Sequence, residues 1–312
     1  MKTGLVYDPI YEEHRPGIGH PERSERLDAV LRGVAAAVPE ERLRRIKPRA
    51  ATEEELALCH THEYIRQATE DILSGEPSLT TGDTDVCERS LEAARFAAGG
   101  VLTAVDAVMG GGVRNAFCAV RPPGHHATPD RGMGFCVFNN IAIAARYAQM
   151  THGLKRVLIA DWDVHHGNGT QAIFYEDPTV FFFSTHQWPF YPGSGRASET
   201  GLGRGKGFTL NCPFAAGSGR VEIVGAFKEK LVPAMRAFQP EFVFLSAGFD
   251  SREEDLLGNF VLTDDDFADL TGIVMEIAAQ YAGQRLVSTL EGGYFLPGLA
   301  SAAGAHVRRL TE

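Results

Sequence analysis

The sequence predicts an α/β protein in which helices cover both faces of a central parallel sheet. The first observation is that, from Asn115 onward, short apolar runs alternate with polar loops and amphipathic helical segments. The second is that conspicuous polar side chains follow most of these runs, as in parallel sheets that bind ligands beyond their strand ends. The third is that 44% of the 312 residues are hydrophobic, with no evident linker or repeat, which predicts one domain over residues 1–312.

The region before residue 115 predicts two short strands and several helices. The strands are expected at Leu5 to Tyr7 and near Ile46. A helix should run from Pro21 to about Val38, because proline suits a first helical turn and acidic residues there complement the helix dipole. Further helices are predicted over His62 to Leu73 and Ser90 to Met109.

The region after residue 115 predicts six strands and five helices. The strands are the apolar runs at about Ala116–Val120, Val157–Ala160, Val180–Phe183, Phe208–Leu210, Phe242–Leu245 and Leu286–Leu290. The helices fall near Phe138–Met150, Thr170–Tyr175, Val221–Phe238, Asp264–Tyr281 and Pro297–Arg309.

Polar residues collect where five of these strands end. They are Arg121 to His126, Asp161 to His165, Ser184 with His186, Asp250, and Glu291 to Tyr294. Because the carboxyl ends of parallel strands meet at one edge of a sheet, these groups should converge there. Five strand ends that carry metal ligands and acid-base groups together predict an active site.

The segment Arg156 to Asn168, RVLIADWDVHHGN, turns from a buried strand into acidic residues and histidines. Asp161, Asp163 and His165 follow one another at a period of two, so in an extended chain their side chains point the same way. Burying two carboxylates together is costly without a cation, and this donor set suits zinc or a neighbouring first-row metal. Asp250 is the natural third ligand with Asp163 and His165. The alternatives are an acidic surface loop and, for Asp250, a turn or helix-cap role.

Three further residues suggest acid-base and oxyanion chemistry. His125 and His126 follow two prolines and a glycine, and two imidazoles near a metal suggest a general base and a general acid. Tyr294 follows two glycines and is a candidate hydrogen-bond donor to a developing oxyanion. The alternatives are two loop histidines without a shared role and a packed tyrosine in a tight turn. His20 and His62 are interpreted as structural or surface residues.

The net charge, the cysteines and the lengths of the apolar runs limit the functions and locations that are compatible with the sequence. The net charge of -10 argues against tight binding to nucleic acid and is compatible with a cationic ligand. The five cysteines contain no CxxC pair, which favours a reducing compartment over a disulfide framework. The sequence has no 18-residue apolar run and no apolar amino-terminal segment typical of a signal peptide, so we expect a cytoplasmic protein that does not span a membrane. Whether it forms a homo-oligomer is left open.

Six motifs together resemble the zinc-dependent histone deacetylase family, in its class II-like branch of bacterial deacetylases and acetylpolyamine amidohydrolases. In chain order they are RPPGHHA, GFCVFNN, DWDVHHGNGTQ, STH, AGFD and LEGGY. The match runs from about residue 2 to residue 308. The resemblance implies the arginase-deacetylase fold, a three-layer α/β/α arrangement around an eight-stranded, mostly parallel sheet. It also implies hydrolysis of an N-acetyl amide to an amine and acetate, with an acetylated lysine or acetylpolyamine as substrate.

The same resemblance assigns roles within the active site. It implies that zinc, or iron(II) in the cell, is held by Asp163, His165 and Asp250. His126 would be the general base for the attacking water, beside His125 as an electrostatic or acid partner held by Asp161. Tyr294 would polarise the acetyl carbonyl. Asn168 stands where class I members have an aspartate, and this neutral partner should keep His126 available as a base.

The resemblance also assigns substrate-binding and cation-binding residues. It implies a tunnel for the lysine-like stem, with substrate-binding residues Phe135, Phe190, Tyr191, Gly134 and Gly293. Asp83 falls where the family often has an acidic residue that grips the substrate backbone. A monovalent cation, taken to be potassium, would lie among Asp161, Asp163, His165 and Ser184.

Two rival functions belong to other classes. An arginase-like ureohydrolase with two manganese ions would need more carboxylates two to four residues beyond Asp163 and Asp250, whereas Asp250 is followed by Ser251 and Arg252. A non-catalytic acetyl-lysine or acetylamine binder would keep the pocket without turnover. Tyr294 and the His125–His126 pair argue against that second alternative.

Overall fold

Eight strands form one sheet, and every pairing in it is parallel. The structure is a computed structural model that describes residues 1–312. The spatial order of the strands is β2-β1-β3-β8-β7-β4-β5-β6. They are β1 (Thr3–Val6), β2 (Leu43–Ile46), β3 (Asn115–Cys118), β4 (Val157–Asp161), β5 (Val180–Gln187), β6 (Thr209–Phe214), β7 (Phe242–Ala247) and β8 (Leu286–Leu290).

The helices lie on both faces of the sheet, as predicted. Packing between neighbours joins α1 (Glu25–Ala37), α10 (Leu296–Leu310), α9 (Asp264–Tyr281), α7 (Arg220–Ala226) and α8 (Val232–Phe238) into one layer. The other layer contains α2 (Glu53–Leu56), α3 (His62–Ser74), α4 (Ser90–Met109), α5 (Asn140–His152) and α6 (Asn168–Phe174). Three 3₁₀ turns complete the regular structure, at Pro9–Glu13, Glu40–Arg42 and Gly203–Gly205.

The central strands are buried on both faces, which explains their continuous apolar sequences. Every residue of β4, β5, β7 and β8 is buried. Strand β4 lies between β5 and β7, and Asp161 at its end is in register with Ser184 on one side and Ser246 on the other. The sheet therefore brings the polar ends of these strands to a single edge.

Several predicted boundaries were wrong. Helix α1 begins at Glu25 rather than Pro21, because residues 21–24 form bends and a turn before the first helical bonds. Strand β5 continues through Gln187, so Ser184 and His186 lie within it and not after it. The predicted helix Val221–Phe238 contains a π-helical stretch, Phe227–Leu231, between α7 and α8. None of the helices has the length and apolar character needed to cross a membrane.

Candidate active site

The strand ends converge on one cavity of about 430 Å³. Its floor contains His126, His165 and Tyr294, and its walls include Phe135, Phe190 and Tyr191. Each of these residues follows a different strand or lies in a loop at the carboxyl edge of the sheet. The convergence predicted from the polar strand ends is therefore present, with aromatic side chains around it.

Asp163, His165 and Asp250 form the group of side chains best suited to a metal ion. One ligand atom from each lies within 4.8 Å of the other two. Nδ1 of His165 is 3.0 Å from Oδ1 of Asp163 and 3.1 Å from Oδ2 of Asp250. Burial, followed by the nearby Asp163 carboxylate, raises the pKa of Asp250 to about 7. Two buried carboxylates beside one imidazole form a donor set that a divalent cation would stabilise.

Two glycines make room for these carboxylates. A Cβ atom at Gly292 would lie 2.0 Å from Oδ2 of Asp250 and 2.7 Å from Oδ2 of Asp163. A Cβ atom at Gly248 would lie 2.0 Å from Oδ2 of Asp163. The backbone N–H of Gly292 also donates to Oδ2 of Asp163 over 2.8 Å. Any larger residue at either position would displace a ligand oxygen.

His125 and His126 have contrasting partners. Their rings lie 4.0 Å apart between centroids. His125 Nδ1 is 2.9 Å from Oδ2 of Asp161, whereas His126 Nδ1 donates to Oδ1 of Asn168 over 2.7 Å. Burial would lower the pKa of His125, but the carboxylates of Asp161 and Asp163 raise it to about 10. Burial, followed by the charges of His125 and His165, holds the pKa of His126 well below its usual value.

Tyr294 lies in the loop between β8 and α10 and borders the same cavity as His126. Gly293 before it has a φ of 125°, in the region that favours glycine. The Tyr294 side chain is buried, and burial raises the pKa of its hydroxyl well above the usual value. The phenol is therefore a proton-bearing hydrogen-bond donor at neutral pH.

Aromatic rings line the cavity against the catalytic candidates. Phe190 stacks on His165 with 5.3 Å between ring centroids, and Tyr191 meets His126 edge-on at 5.2 Å. Phe135 lies 6.0 Å from the ring of Tyr294. Gly134 has a φ of 57°, and a Cβ atom there would lie 2.3 Å from Cδ2 of His126. Phe190 and Tyr191 thus both contribute to the wall.

Asp83 lies at the exposed mouth of the same cavity. One of its oxygens accepts the backbone N–H of Gly134 over 2.8 Å. Its other oxygen accepts the Tyr191 hydroxyl over 3.1 Å. The Asp83 carboxylate therefore links the two walls of the cavity at its entrance.

Ser184, His20 and His62 do not lie among the proposed metal ligands. The Ser184 hydroxyl lies 2.8 Å from Nδ1 of His186, within β5 and beside Asp161. His20 packs edge-on against Phe135 at 4.6 Å, so it supports the cavity wall. His62 has an exposed side chain at the start of α3, as expected for a surface residue.

Three residues near the site were given no role from the sequence. Glu291 is fully buried and accepts the backbone N–H groups of Gly124 and His125 over 2.7 and 3.1 Å. Arg26 is also buried and donates to the carbonyls of Gly293 and Glu291 over 2.6 and 2.5 Å. Asp255 accepts backbone N–H groups from the Tyr294 turn. The only indication of such a role in the sequence is a charged residue at the end of a buried strand. Of these three residues, only Glu291 has that position.

The chain resembles known proteins over nearly its whole length. Residues 20–310 match the family model described as the histone deacetylase domain. A probable deacetylase of Archaeoglobus fulgidus is 38% identical over 300 residues, which cover 96% of this chain and 83% of that protein. The histone deacetylase-like amidohydrolase of Pseudomonas aeruginosa is 40% identical over 292 residues, covering 93% of this chain and 75% of that protein.

Two further relatives extend the comparison. The human polyamine deacetylase HDAC10 is 42% identical over 326 residues, covering 99% of this chain and 48% of that longer protein. The crystal structure of the HDA15 HD domain superposes with a TM-score of 0.92 at 38% identity, covering 99% of this chain and 90% of that one. The family predicted from the six motifs is confirmed, and with it the arginase-deacetylase fold. The chain belongs to the histone deacetylase family of hydrolases, which act on acetylated amines.

Proposed function

We propose that this chain is a zinc-dependent amidohydrolase that releases acetate from N-acetylated amines, with iron(II) as an alternative metal in the cell. One observation carries the proposal: the neutral His126, Tyr294 and His165 border the same aromatic cavity, and His165 belongs to the buried Asp163–His165–Asp250 group. That combination supplies metal ligands, a base and an oxyanion donor to one bound amide.

Asp163, His165 and Asp250 would hold the metal. Their close, buried oxygen and nitrogen atoms and the glycine backbone packed against them fit a small divalent ion. When bound, zinc supplies a Lewis acid that polarises the acetyl carbonyl and makes water more acidic. The three side chains leave the cavity side of the group open to substrate.

His126 takes the proton of the attacking water. Its low pKa keeps the ring neutral, and its hydrogen bond to Asn168 fixes the proton on Nδ1, so Nε2 carries the free lone pair. His125, held protonated by Asp161, stabilises negative charge on the reacting amide and can supply a proton to the departing amine. The differing partners of the two rings therefore separate base from acid.

Tyr294 and the aromatic walls position the substrate. The Tyr294 hydroxyl donates to the acetyl oxygen as negative charge develops on it. Phe135, Phe190 and Tyr191 enclose the methylene stem that carries the acetamide, and the backbone at Gly134 lets the stem approach closely. Gly293 does not line the cavity but packs near Leu299 and Phe249, so its predicted role in binding substrate is not supported. Asp83 at the mouth accepts an N–H group or ammonium of the substrate.

A potassium ion near β4 is part of the proposal. Asp161 and Ser184 are neighbours on paired strands, and the segment Asp161 to His165 supplies buried oxygen atoms beside them. The Asp161 carboxylate already accepts the N–H of Asp163 and faces His125, so a monovalent cation there would tune the charge that His125 experiences. A cytoplasmic location stays a prediction, and all five cysteines are free thiols in the structure.

The metal content separates this proposal from the arginase-like alternative. The only cluster of three or more metal-ligating side chains is the Asp163–His165–Asp250 group. We expect one divalent ion per chain in purified protein, measured by plasma emission spectroscopy after dialysis. Two manganese ions per chain would contradict the deacetylase proposal.

Substrate class is tested by a side-by-side rate comparison. We expect the cavity to accept an acetylated alkyl amine in either an acetyl-lysine peptide or an acetylpolyamine. One relative is named a polyamine deacetylase and another a histone deacetylase-like amidohydrolase, which motivates testing both substrates. Acetyl-lysine peptides, acetylspermidine, acetylputrescine and longer acyl chains should be assayed with the same zinc-loaded enzyme. We expect turnover of acetylated amines above the no-enzyme rate; no turnover of any substrate would favour the non-catalytic binder.

Tyr294→Phe should lower turnover by roughly two to three powers of ten while the protein retains its metal. The substitution removes only the hydroxyl, because the buried ring still packs near Phe135. The measurement is kcat with a fluorogenic acetyl-lysine substrate, accompanied by metal content. Tyr281→Phe, on the distant helix α9, is the matched control and should keep wild-type turnover. Wild-type turnover of Tyr294→Phe would remove Tyr294 from the mechanism.

A further inference from the structure

We propose that Asp255 is a positioning residue that fixes the Tyr294 hydroxyl in place by binding the backbone of its turn; the inference rests on the proposed role of Tyr294. Asp255 lies in the loop between β7 and α9 and borders the cavity. It is more than thirty residues away from Tyr294 in sequence, so only the fold brings the two together.

Both oxygens of the Asp255 carboxylate are engaged by backbone amides. Oδ2 accepts the N–H of Tyr294 over 2.8 Å and the N–H of Phe295 over 3.1 Å. Oδ1 accepts the N–H of Leu257 over 3.0 Å. A carboxylate that accepts three N–H groups points toward the protein backbone and not toward a ligand in the cavity.

The backbone N–H groups of Tyr294 and Phe295 need an acceptor such as the Asp255 carboxylate because these residues lead directly into a helix. Helix α10 begins at Leu296, and the first N–H groups of a helix have no partner within it. Phe295, at the cap position, makes no side-chain capping bond. Asp255 accepts the N–H groups of the two residues that precede the helix, where its negative charge suits the helix amino terminus.

The opposite side of the same turn is held by a positive charge. The buried Arg26 donates to the carbonyls of Glu291 and Gly293, and its guanidinium lies 4.9 Å from the centre of the Tyr294 ring. Asp255 accepts the N–H groups of Tyr294 and Phe295, while Arg26 donates to the carbonyls of the residues just before them. Since Gly293 itself has a permissive φ of 125°, these two contacts define the direction in which Tyr294 leaves the backbone.

Loss of the Asp255 contacts would therefore act on catalysis through Tyr294. A misplacement of about 1 Å at a reacting group costs on the order of 10²-fold in rate. An asparagine at position 255 has a single acceptor oxygen, so it cannot serve the Tyr294–Phe295 pair and Leu257 together. On one side the amide nitrogen of the asparagine would face a backbone N–H group, so that two hydrogen-bond donors would oppose each other.

Asp255→Asn tests the inference in a double-mutant cycle with Tyr294→Phe. We expect Asp255→Asn alone to lower kcat by about tenfold to a hundredfold, with KM changed less than about threefold and metal content unchanged. In the Tyr294→Phe background the same change should have almost no further effect, because the group it positions is already missing. Glu254→Gln is the matched control: it removes one neighbouring carboxylate that makes only a 3.6 Å contact with Arg252, and turnover should stay at the wild-type level.

Two results would overturn the inference. Equal fold losses from Asp255→Asn in the presence and absence of the Tyr294 hydroxyl would mean that Asp255 acts independently of it. A rise in KM for cationic substrates at unchanged kcat would mean that Asp255 binds substrate directly. Should Asp255→Asn fail to fold, Asp255→Ser replaces it in the same cycle with the same outcomes. Failure of the proposed function looks different, because the wild type itself would then turn over none of the substrates.

Discussion

His126→Ala is expected to lower kcat by roughly two to four powers of ten while the protein still binds one divalent ion. His126 is the ring whose pKa is held well below its usual value by burial and by the charges of His125 and His165. It is therefore neutral at pH 7 and able to accept a proton, whereas His125 beside it is already protonated. Alanine removes this base without touching Asp163, His165 or Asp250.

Metal content and turnover must be measured together for His126→Ala. Loss of the metal would make His126 a ligand rather than a base. His125→Ala is the comparison variant. It removes the protonated ring and leaves the buried Asp161 carboxylate without its imidazole partner. His62→Ala, at an exposed position on α3, controls for the loss of an imidazole and should leave both quantities unchanged.

The contrast between Asp161 and Asn168 accounts for the different roles that we propose for His125 and His126. An ionised partner stabilises the imidazolium of His125, while the amide oxygen of Asn168 accepts a hydrogen bond without a full negative charge. We expect Asn168→Asp to raise the pKa of His126 and so reduce the fraction of neutral base at pH 7. The expected result is a kcat/KM profile shifted to higher pH, and an unshifted profile would contradict this account of the two rings.

The central sheet and the positions of the proposed metal ligands were predictable from the sequence because their signals are local. Strand β4 is a continuous apolar run, and Asp161, Asp163 and His165 follow it at a fixed spacing. The order of strands across the sheet required the three-dimensional structure, as did the register that brings Ser184 beside Asp161. The extension of β5 to Gln187 was missed because polar residues at the end of a strand resemble the beginning of a loop.

The supporting shell of the site could not be predicted in the same way. Glu291, Arg26 and Asp255 all act through backbone groups that are distant in sequence, and backbone contacts leave no pattern in residue types. Only the folded structure shows that some of these side chains are buried and that the Asp255 oxygens accept backbone N–H groups. The sequence therefore predicted the candidate reacting groups, while the structure identified the residues that contact their backbone.

Asp250→Asn is expected to abolish metal binding and lower turnover by about four powers of ten or more, because it removes an anionic ligand and with it the Lewis acid. The side chain keeps its size, and an asparagine oxygen can still accept the N–H of Val164, which Oδ1 of Asp250 accepts over 2.9 Å. The fold should therefore survive. Asp265→Asn, in the exposed first turn of α9, is the matched control for the same chemical change.

Thermal unfolding distinguishes loss of the metal from loss of the fold in Asp250→Asn. A ligand at a hundred times its Kd stabilises a native protein by about 2.7 kcal/mol, so zinc should raise the Tm of the wild type by roughly 4 °C over the chelated protein. The variant should show no such increase. In chelator it should still unfold in one cooperative transition, because the Val164 N–H bond is kept and Asp163 remains beside His165. A zinc-dependent rise in the Tm of the variant equal to that of the wild type would show that Asp250 is not a ligand.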